Sequence, residues 1–149
     1  MNSPAICTLF LKTLEKARLR FSLSVYGYVI MPEHIHLLLS EPGSGTLAEA
    51  IHFLKLSSAK PRQSSSARHG DPGHFWQKRY YDRNLRSYSD LMEKLRYIHR
   101  NPVKRELCRN PGDWPWSSFR HYAIGEVGLV EIESEWTAQK RQRKEPEIG

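Results

Sequence analysis

Apolar positions in the first quarter of the chain follow two periodicities, one typical of a helix and one typical of a strand. Residues 6–19 carry apolar side chains every three or four positions, which predicts a helix with one buried stripe. Residues 21–31 are rich in β-branched and aromatic types, and residues 34–40 alternate, so both segments predict strands. Because proline ends the first of these segments, Pro32-Glu33 is interpreted as the tight connection of a hairpin.

A second helix is predicted from a capping signal. Thr46 is followed three residues later by Glu49, and in this arrangement each side chain hydrogen-bonds the backbone N–H of the other residue. We expect this helix to run to about residue 59, with four residues facing inward: Leu47, Ala50, Ile51 and Leu54.

The next segments alternate between loop, strand and helix character. Ser, Arg, Pro and Gly dominate residues 60–73, which predicts a mobile basic loop, and residues 75–85 predict an irregular aromatic strand. Residues 89–100 predict a helix whose apolar face is formed by Leu91, Met92, Leu95 and Ile98. We expect Asn101-Pro102 to interrupt it, because proline disfavours the α conformation in the preceding residue, and a short helix to follow over 102–108.

The order of these elements predicts an α+β fold. It suits a ferredoxin-like, or RRM-like, antiparallel sheet with helices on one face. Such a sheet has a strand before its first helix, and since only five residues precede Ile6, we interpret that first strand as missing. We place one domain over residues 1–123 and a disordered tail over 124–149, since the residues after Glu133 are strongly polar.

Charge and composition narrow the function classes. The net charge is +7, and residues 53–109 hold fourteen Lys and Arg against five Asp and Glu, a net +9. Such a basic block indicates a polyanionic partner, usually nucleic acid. Without an apolar run long enough to cross a bilayer or a signal peptide, we expect no membrane partner and a cytoplasmic, nucleoid-associated location. Cys7 and Cys108 form no metal or disulfide pattern.

His34-Ile35-His36 is the first candidate for chemistry. Residues two apart on a strand share a face, so both imidazoles leave one side of the sheet, roughly 7 Å apart at the backbone. That separation allows both rings to bind one metal ion, while Ile35 and Leu37 face the core. Surface histidines on strands are also common, so the pair alone leaves both readings open.

Tyr97 and Asn101 are the second candidate. Being four apart, they lie on one flank of the predicted helix, away from its apolar stripe. Two other readings are open: Tyr97 as a surface tyrosine, and Asn101 as the N-cap of a helix that begins at Pro102. A cap role and a metal-facing amide would compete for the same oxygen.

Three separated segments resemble motifs of the single-tyrosine transposases, in the order in which that family carries them. The HUH motif, in which two histidines flank a bulky apolar residue, is matched by GYVIMPEHIHLLLSEP at residues 27–42. The tyrosine-helix region is matched by FWQKRYYDRNLRSYSDLMEKLRYIHRNPVKRELC at residues 75–108, and the closing signature by WPWSSFRHY at residues 114–122. The resemblance covers residues 22–122 and is strongest to the REP-associated branch, which acts on repetitive extragenic palindromes.

The resemblance implies residue roles and a reaction. It makes Tyr97 the nucleophile and His34, His36 and Asn101 the ligands of Mg²⁺ or Mn²⁺. An ordinary tyrosine hydroxyl is a weak nucleophile at neutral pH, so a cation at the scissile phosphate suits this chemistry. The implied product is a 5′-phosphotyrosine with a free 3′-OH on single-stranded or hairpin DNA, formed by a monomer or a homodimer.

Candidate DNA contacts lie in the predicted third strand. Basic and aromatic residues interleave there, a mixture that follows a nucleic-acid backbone and stacks on bases: Lys78, Arg79, Tyr80, Tyr81, Arg83 and Arg86. We interpret Trp114 and Trp116, which neighbour prolines, as packing anchors instead.

Two departures from the family pattern bear on activity. The first strand is expected to be missing, which would expose a sheet edge, and Glu33 stands before the first histidine where asparagine is common in the family. Three other classes stay open: a cleavage-incompetent hairpin-binding protein, a metal-dependent hydrolase that would need further carboxylate ligands, and a relaxase or replication initiator, usually a larger chain.

Overall fold

The computed structural model describes residues 3–59 and 87–144. The predicted basic loop, the predicted third strand and all six candidate DNA-contact residues lie outside these ranges. None of the helices in the two ranges is long and apolar enough to cross a membrane.

A β-hairpin forms the centre of the described fold, as predicted. Strands β1 (Val25–Ile30) and β2 (Ile35–Leu39) pair antiparallel, with Ile30 opposite Ile35. The turn is closed by the backbone N–H of Met31, which donates to the carbonyl of His34 over 2.8 Å. Because His34 follows this turn directly, its side chain is held at one end of the hairpin.

Helices α1 (Pro4–Arg20) and α2 (Leu47–Ala59) cover one face of the hairpin. The predicted capping box is confirmed, since the Thr46 backbone N–H donates to Glu49 and the Glu49 N–H to the Thr46 hydroxyl, each over 3.1 Å. The four residues predicted to face inward are all buried: Leu47, Ala50, Ile51 and Leu54.

Helix α3 (Tyr88–Lys104) covers the opposite face. The α+β class is therefore confirmed, but the prediction that helices lie on one face is wrong. Both faces of the hairpin are apolar, and on the second face Val29 and Leu38 pack against Leu95 and other residues of α3. Gly27 allows a close approach, because a Cβ there would lie 2.4 Å from Cδ2 of Leu95.

Helix α3 is continuous through Asn101-Pro102, so the predicted interruption is wrong. Pro102 removes one backbone donor, but it lies in the last turn of the helix. The Asn101 carbonyl still accepts from the Arg105 N–H at 2.9 Å, and the Pro102 carbonyl from the Leu107 N–H at 2.9 Å. Asn101 and Pro102 are both buried, and this packing outweighs the local preference of the residue before a proline.

In the C-terminal segment, residues 124–144 form regular structure with packed contacts, which corrects the prediction of a disordered tail from residue 124. A 3-10 turn (Pro111–Asp113) and helix α4 (Phe119–Ile124) lead to helix α5 (Glu135–Lys144). Val130 and Ile132 are buried, and Ile132 forms a parallel bridge with Val25.

The same segment covers the second edge of β1. The Ile30 N–H donates to the Trp116 carbonyl over 2.8 Å, the Ser118 N–H to the Tyr28 carbonyl over 3.0 Å, and the Glu133 N–H to the Val25 carbonyl over 2.8 Å. Arg18 of α1 adds an ion pair with Glu131 at 2.9 Å. These contacts hold a segment whose polar composition suggested disorder.

Candidate functional site

The two histidines of the HUH-like motif lie together at the end of the hairpin. Their Nε2 atoms are 2.9 Å apart and their ring centroids 4.7 Å apart, with the rings nearly perpendicular. Ile35 and Leu37 point to the opposite side and are buried in the core between the hairpin, α1 and α2. The predicted arrangement, imidazoles on one face and apolar residues on the other, is present in the structure.

Helix α3 brings Tyr97 and Asn101 to the same histidine. The Asn101 amide nitrogen lies 3.2 Å from Nε2 of His36, and the Tyr97 ring centroid lies 5.9 Å from that of His36. Asn101 is buried, whereas Tyr97 is 55% exposed. Because Asn101 lies inside a continuous helix, it is not an N-cap, and its side chain faces the histidines instead.

The protonation state of His36 suits a metal ligand. Burial, reinforced by neighbouring His34, lowers the pKa of His36 from its ordinary value to about 4. The ring is therefore neutral at physiological pH, the form in which imidazole binds a metal. A half-turn of the Asn101 amide about its terminal bond brings the oxygen to the place of the nitrogen, since the two atoms are nearly equivalent in shape.

The donor set fits a divalent cation. Two imidazole nitrogens and one amide oxygen suit a first-row transition-metal ion better than Mg²⁺, which prefers oxygen ligands. Across residues 3–59 and 87–144, no cluster of three or more His, Cys, Asp and Glu side chains is arranged to hold a metal. In this part of the chain Asn101 is therefore the third candidate ligand.

Glu33 belongs to the rim of the site. Its carboxylate pairs with the Arg105 guanidinium at 3.3 Å, and both side chains are largely solvent-exposed. The pair joins the hairpin turn to the end of α3, and exposed pairs of this kind contribute little to stability. Glu33 thus contacts an arginine and faces solvent.

The tryptophans of the closing signature are packing anchors, as predicted. The Trp114 indole N–H donates to the Ile30 carbonyl over 2.9 Å, and its ring packs beside the α3 face of the hairpin. Trp116 packs against the core on the other face.

A buried network at His99 and Ser118 was not predicted. His99 Nε2 lies 2.8 Å from Oγ of Ser118, which also accepts from the Tyr28 N–H at 3.0 Å. Burial lowers the pKa of His99 to about 4. A helix turns 100° per residue, so His99, two positions after Tyr97, lies on nearly the opposite side of α3. This spacing was the signal that could have placed His99 between α3 and strand β1.

The family described as "Transposase IS200 like" matches residues 5–101, about two thirds of the chain. The chain therefore belongs to the IS200-like transposase family, and the family predicted from its motifs is confirmed. The matched range contains both histidines, Tyr97 and Asn101.

Two curated relatives are REP-associated tyrosine transposases, the branch that the motifs predicted. A putative one from Haemophilus influenzae is 32% identical over 106 residues, which cover 66% of this chain and 60% of the relative. One from Escherichia coli is 27% identical over 96 residues, which cover 64% and 53%. The chain thus matches little more than half the length of these relatives.

A solved structure has a similar fold. The REP-associated tyrosine transposase bound to a REP hairpin superposes with a TM-score of 0.59 at 19% identity, over 85% of this chain and 74% of that one. At this identity the likeness establishes the shared fold.

Proposed function

We propose that the chain is a single-strand DNA transposase that nicks and rejoins DNA through Tyr97. One observation supports the proposal: Tyr97 and Asn101 lie on the flank of α3 that faces His36, so the candidate nucleophile and three candidate metal ligands lie together at one end of the hairpin. The tyrosine ring is half exposed, which leaves its hydroxyl accessible to a strand.

The proposed step exchanges one phosphodiester for another. The Tyr97 hydroxyl oxygen bonds to phosphorus, and the bond from phosphorus to the 3′ oxygen of the preceding nucleotide breaks. Tyrosine gives up its proton and the departing 3′ oxygen takes one up, so the products are a 5′-phosphotyrosine and a free 3′-OH. A 3′-OH then reverses the step and rejoins a strand without a nucleotide cofactor.

His34, His36 and Asn101 would hold the Mg²⁺ or Mn²⁺ ion expected for this chemistry. When bound, such an ion neutralises charge on the scissile phosphate and orients it for in-line displacement. The role of the protein is to keep the His36 imidazole neutral and to fix the amide beside it, which the partial burial of His36 and the burial of Asn101 support.

Palindromic hairpins are the proposed substrate. Both curated relatives are named REP-associated tyrosine transposases, and the solved structure of similar fold holds a REP hairpin. The central basic block, a net +9 over residues 53–109, is consistent with a nucleic-acid substrate. The prediction that the protein acts as a monomer or a homodimer remains untested.

A covalent-adduct assay tests the proposal. Labelled single-stranded hairpin DNA is incubated with Mg²⁺ or Mn²⁺, the protein is denatured, and label retained on it is measured. Wild type is expected to retain label only with metal present, and Tyr97→Phe to retain none while still binding DNA. The matched control is Tyr88→Phe, which removes the hydroxyl of another exposed tyrosine on α3 and should leave the adduct unchanged.

Two outcomes would contradict the assignment. An adduct that persists in Tyr97→Phe would place the nucleophile elsewhere. Tight hairpin binding without an adduct in wild type, with either metal, would favour the cleavage-incompetent hairpin-binding protein instead.

A further inference from the structure

Three cations line the exposed flank of α3 beside Tyr97. Arg96, Arg100 and Lys104 are spaced four residues apart, and all three side chains are exposed. Residues four apart lie on one side of a helix, about 6 Å apart along its axis. The stripe therefore extends for roughly 12 Å along the helix that carries the candidate nucleophile.

The stripe adjoins the site. On the helical surface Arg100 neighbours Tyr97, since it lies three residues further on. Asn101 lies on the other side of Tyr97 and is buried against His36. Across α3 the order is therefore a buried amide that faces the histidines, then the half-exposed tyrosine, then the cations.

These three cations differ from other arginines of the fold. Arg18, Arg105 and Arg141 each pair with glutamates. By contrast, Arg96, Arg100 and Lys104 form no ion pair with any residue in the ranges 3–59 and 87–144. Three adjacent cations with no carboxylate partner in these ranges repel one another, so an anionic partner stabilises them.

One carboxylate marks the N-terminal limit of the stripe. Glu93 is exposed on the same flank, one turn before Tyr97. Like charges repel, so phosphate contacts are expected beyond Glu93, where Arg96, Arg100 and Lys104 lie.

We propose that Arg96, Arg100 and Lys104 bind successive phosphates of the single strand whose phosphodiester is presented to Tyr97. The strand lies along α3 beside Tyr97, between Arg96 and Lys104. This inference rests on the proposed function, because it assigns the strand that Tyr97 attacks. The contacts are to phosphate and are therefore independent of base sequence.

Salt-dependent binding tests the stripe. The probe is a labelled single strand without a palindrome, and every protein carries Tyr97→Phe so that cleavage does not disturb the equilibrium. The triple variant Arg96→Gln, Arg100→Gln, Lys104→Gln is expected to bind roughly tenfold or more weakly at low salt. Its slope of log affinity against log salt is expected to be shallower by about 2, because each lost contact to a single strand removes about 0.7.

A matched control lies on α1, which packs on the opposite face of the hairpin. Lys12, Lys16 and Arg20 are also exposed and four residues apart, so their triple change to Gln removes the same charge with the same spacing. Arg20 lies over the Phe21 and Phe53 rings, so thermal unfolding of this variant must be compared with its parent. The folded control is expected to keep nearly all of the affinity and slope.

The outcomes are distinct. Equal losses of affinity in both triple variants would show that only net charge matters, and would overturn the proposal. Unchanged binding in the α3 variant, or a parent protein that does not bind the strand, would also overturn it. The adduct assay on Tyr97 separates this failure from failure of the proposed function. If the three cations do not bind the strand, wild type can still form the Tyr97 adduct.

Discussion

Nε2 of His99 lies 2.8 Å from Oγ of Ser118, and this contact ties α3 to strand β1. Ser118 completes the link through the backbone N–H of Tyr28, which donates to the same oxygen. His99 lies between Tyr97 and Asn101 in sequence but on the far side of the helix. The contact therefore joins the packing of Leu95 and Ile98 in holding α3 with Tyr97 and Asn101 turned towards His36.

The first prediction concerns stability against pH. An unfolded histidine titrates near 6.5, whereas burial lowers the pKa of His99 to about 4, so the unfolded chain takes up the proton first as pH falls. The stabilising contribution is complete above about pH 6.5 and is lost as pH falls towards 4. We expect the free energy of unfolding to fall by up to about 3 kcal/mol across this window from His99 alone.

Urea unfolding at several pH values between 7 and 4 measures the effect. His36 titrates in the same window, so the pH dependence of the free energy of unfolding is compared between wild type and His99→Gln. The stability of the variant should depend less on pH than that of wild type. The exposed His52 on α2 supplies the control, since His52→Gln should follow wild type. The same pH dependence in His99→Gln as in wild type would disprove the explanation.

The second prediction concerns metal binding. Titration with Mn²⁺, followed by the electron paramagnetic resonance of the free ion, should show one site in wild type and none in the double variant His34→Ala, His36→Ala. Asn101→Ala should weaken binding roughly tenfold, which corresponds to a loss of about 1.4 kcal/mol. Glu33→Gln is the control, because that side chain pairs with Arg105 and should not affect the affinity. Equal binding by wild type and the double variant would rule out the site.

The third prediction concerns the approach of α3 to the hairpin. In Gly27→Ala the new Cβ would lie 2.4 Å from Cδ2 of Leu95, and Leu95 is itself buried, so either its side chain or the helix must shift. We expect a destabilisation of about 1–3 kcal/mol and a smaller yield of the Tyr97 adduct. Gly128→Ala is the matched control, since a Cβ there would have no atom within 4 Å. Thermal unfolding of both variants checks the difference, and equal midpoints would refute close packing at Gly27.

Sequence periodicity predicted the elements that depend on local pattern. Helices α1 and α2, the hairpin and the shared face of His34 and His36 follow from spacing alone, because each repeats with the period of its own structure. The motif resemblance supplied the roles of Tyr97 and Asn101, and the structure places both beside His36.

The remaining features depend on contacts between distant residues. Pro102 favours a helix break locally, but burial of Asn101 and Pro102 in the folded protein keeps α3 continuous. In residues 124–144 two buried apolar residues, Val130 and Ile132, come just before the strongly polar residues that follow Glu133, whose composition suggested disorder. Their partners lie in the first quarter of the chain, where no local pattern could indicate them.

The bridge between Val25 and Ile132 has a consequence for folding. The two residues are 107 positions apart, and contacts of such separation slow folding because a long loop must close first. Helix α1 and the hairpin emerge early from the ribosome, but the second edge of β1 is paired only after Trp116, Ser118 and Glu133 arrive. A nascent chain that pauses before residue 116 therefore presents an unpaired strand edge, the kind that recruits foreign strands.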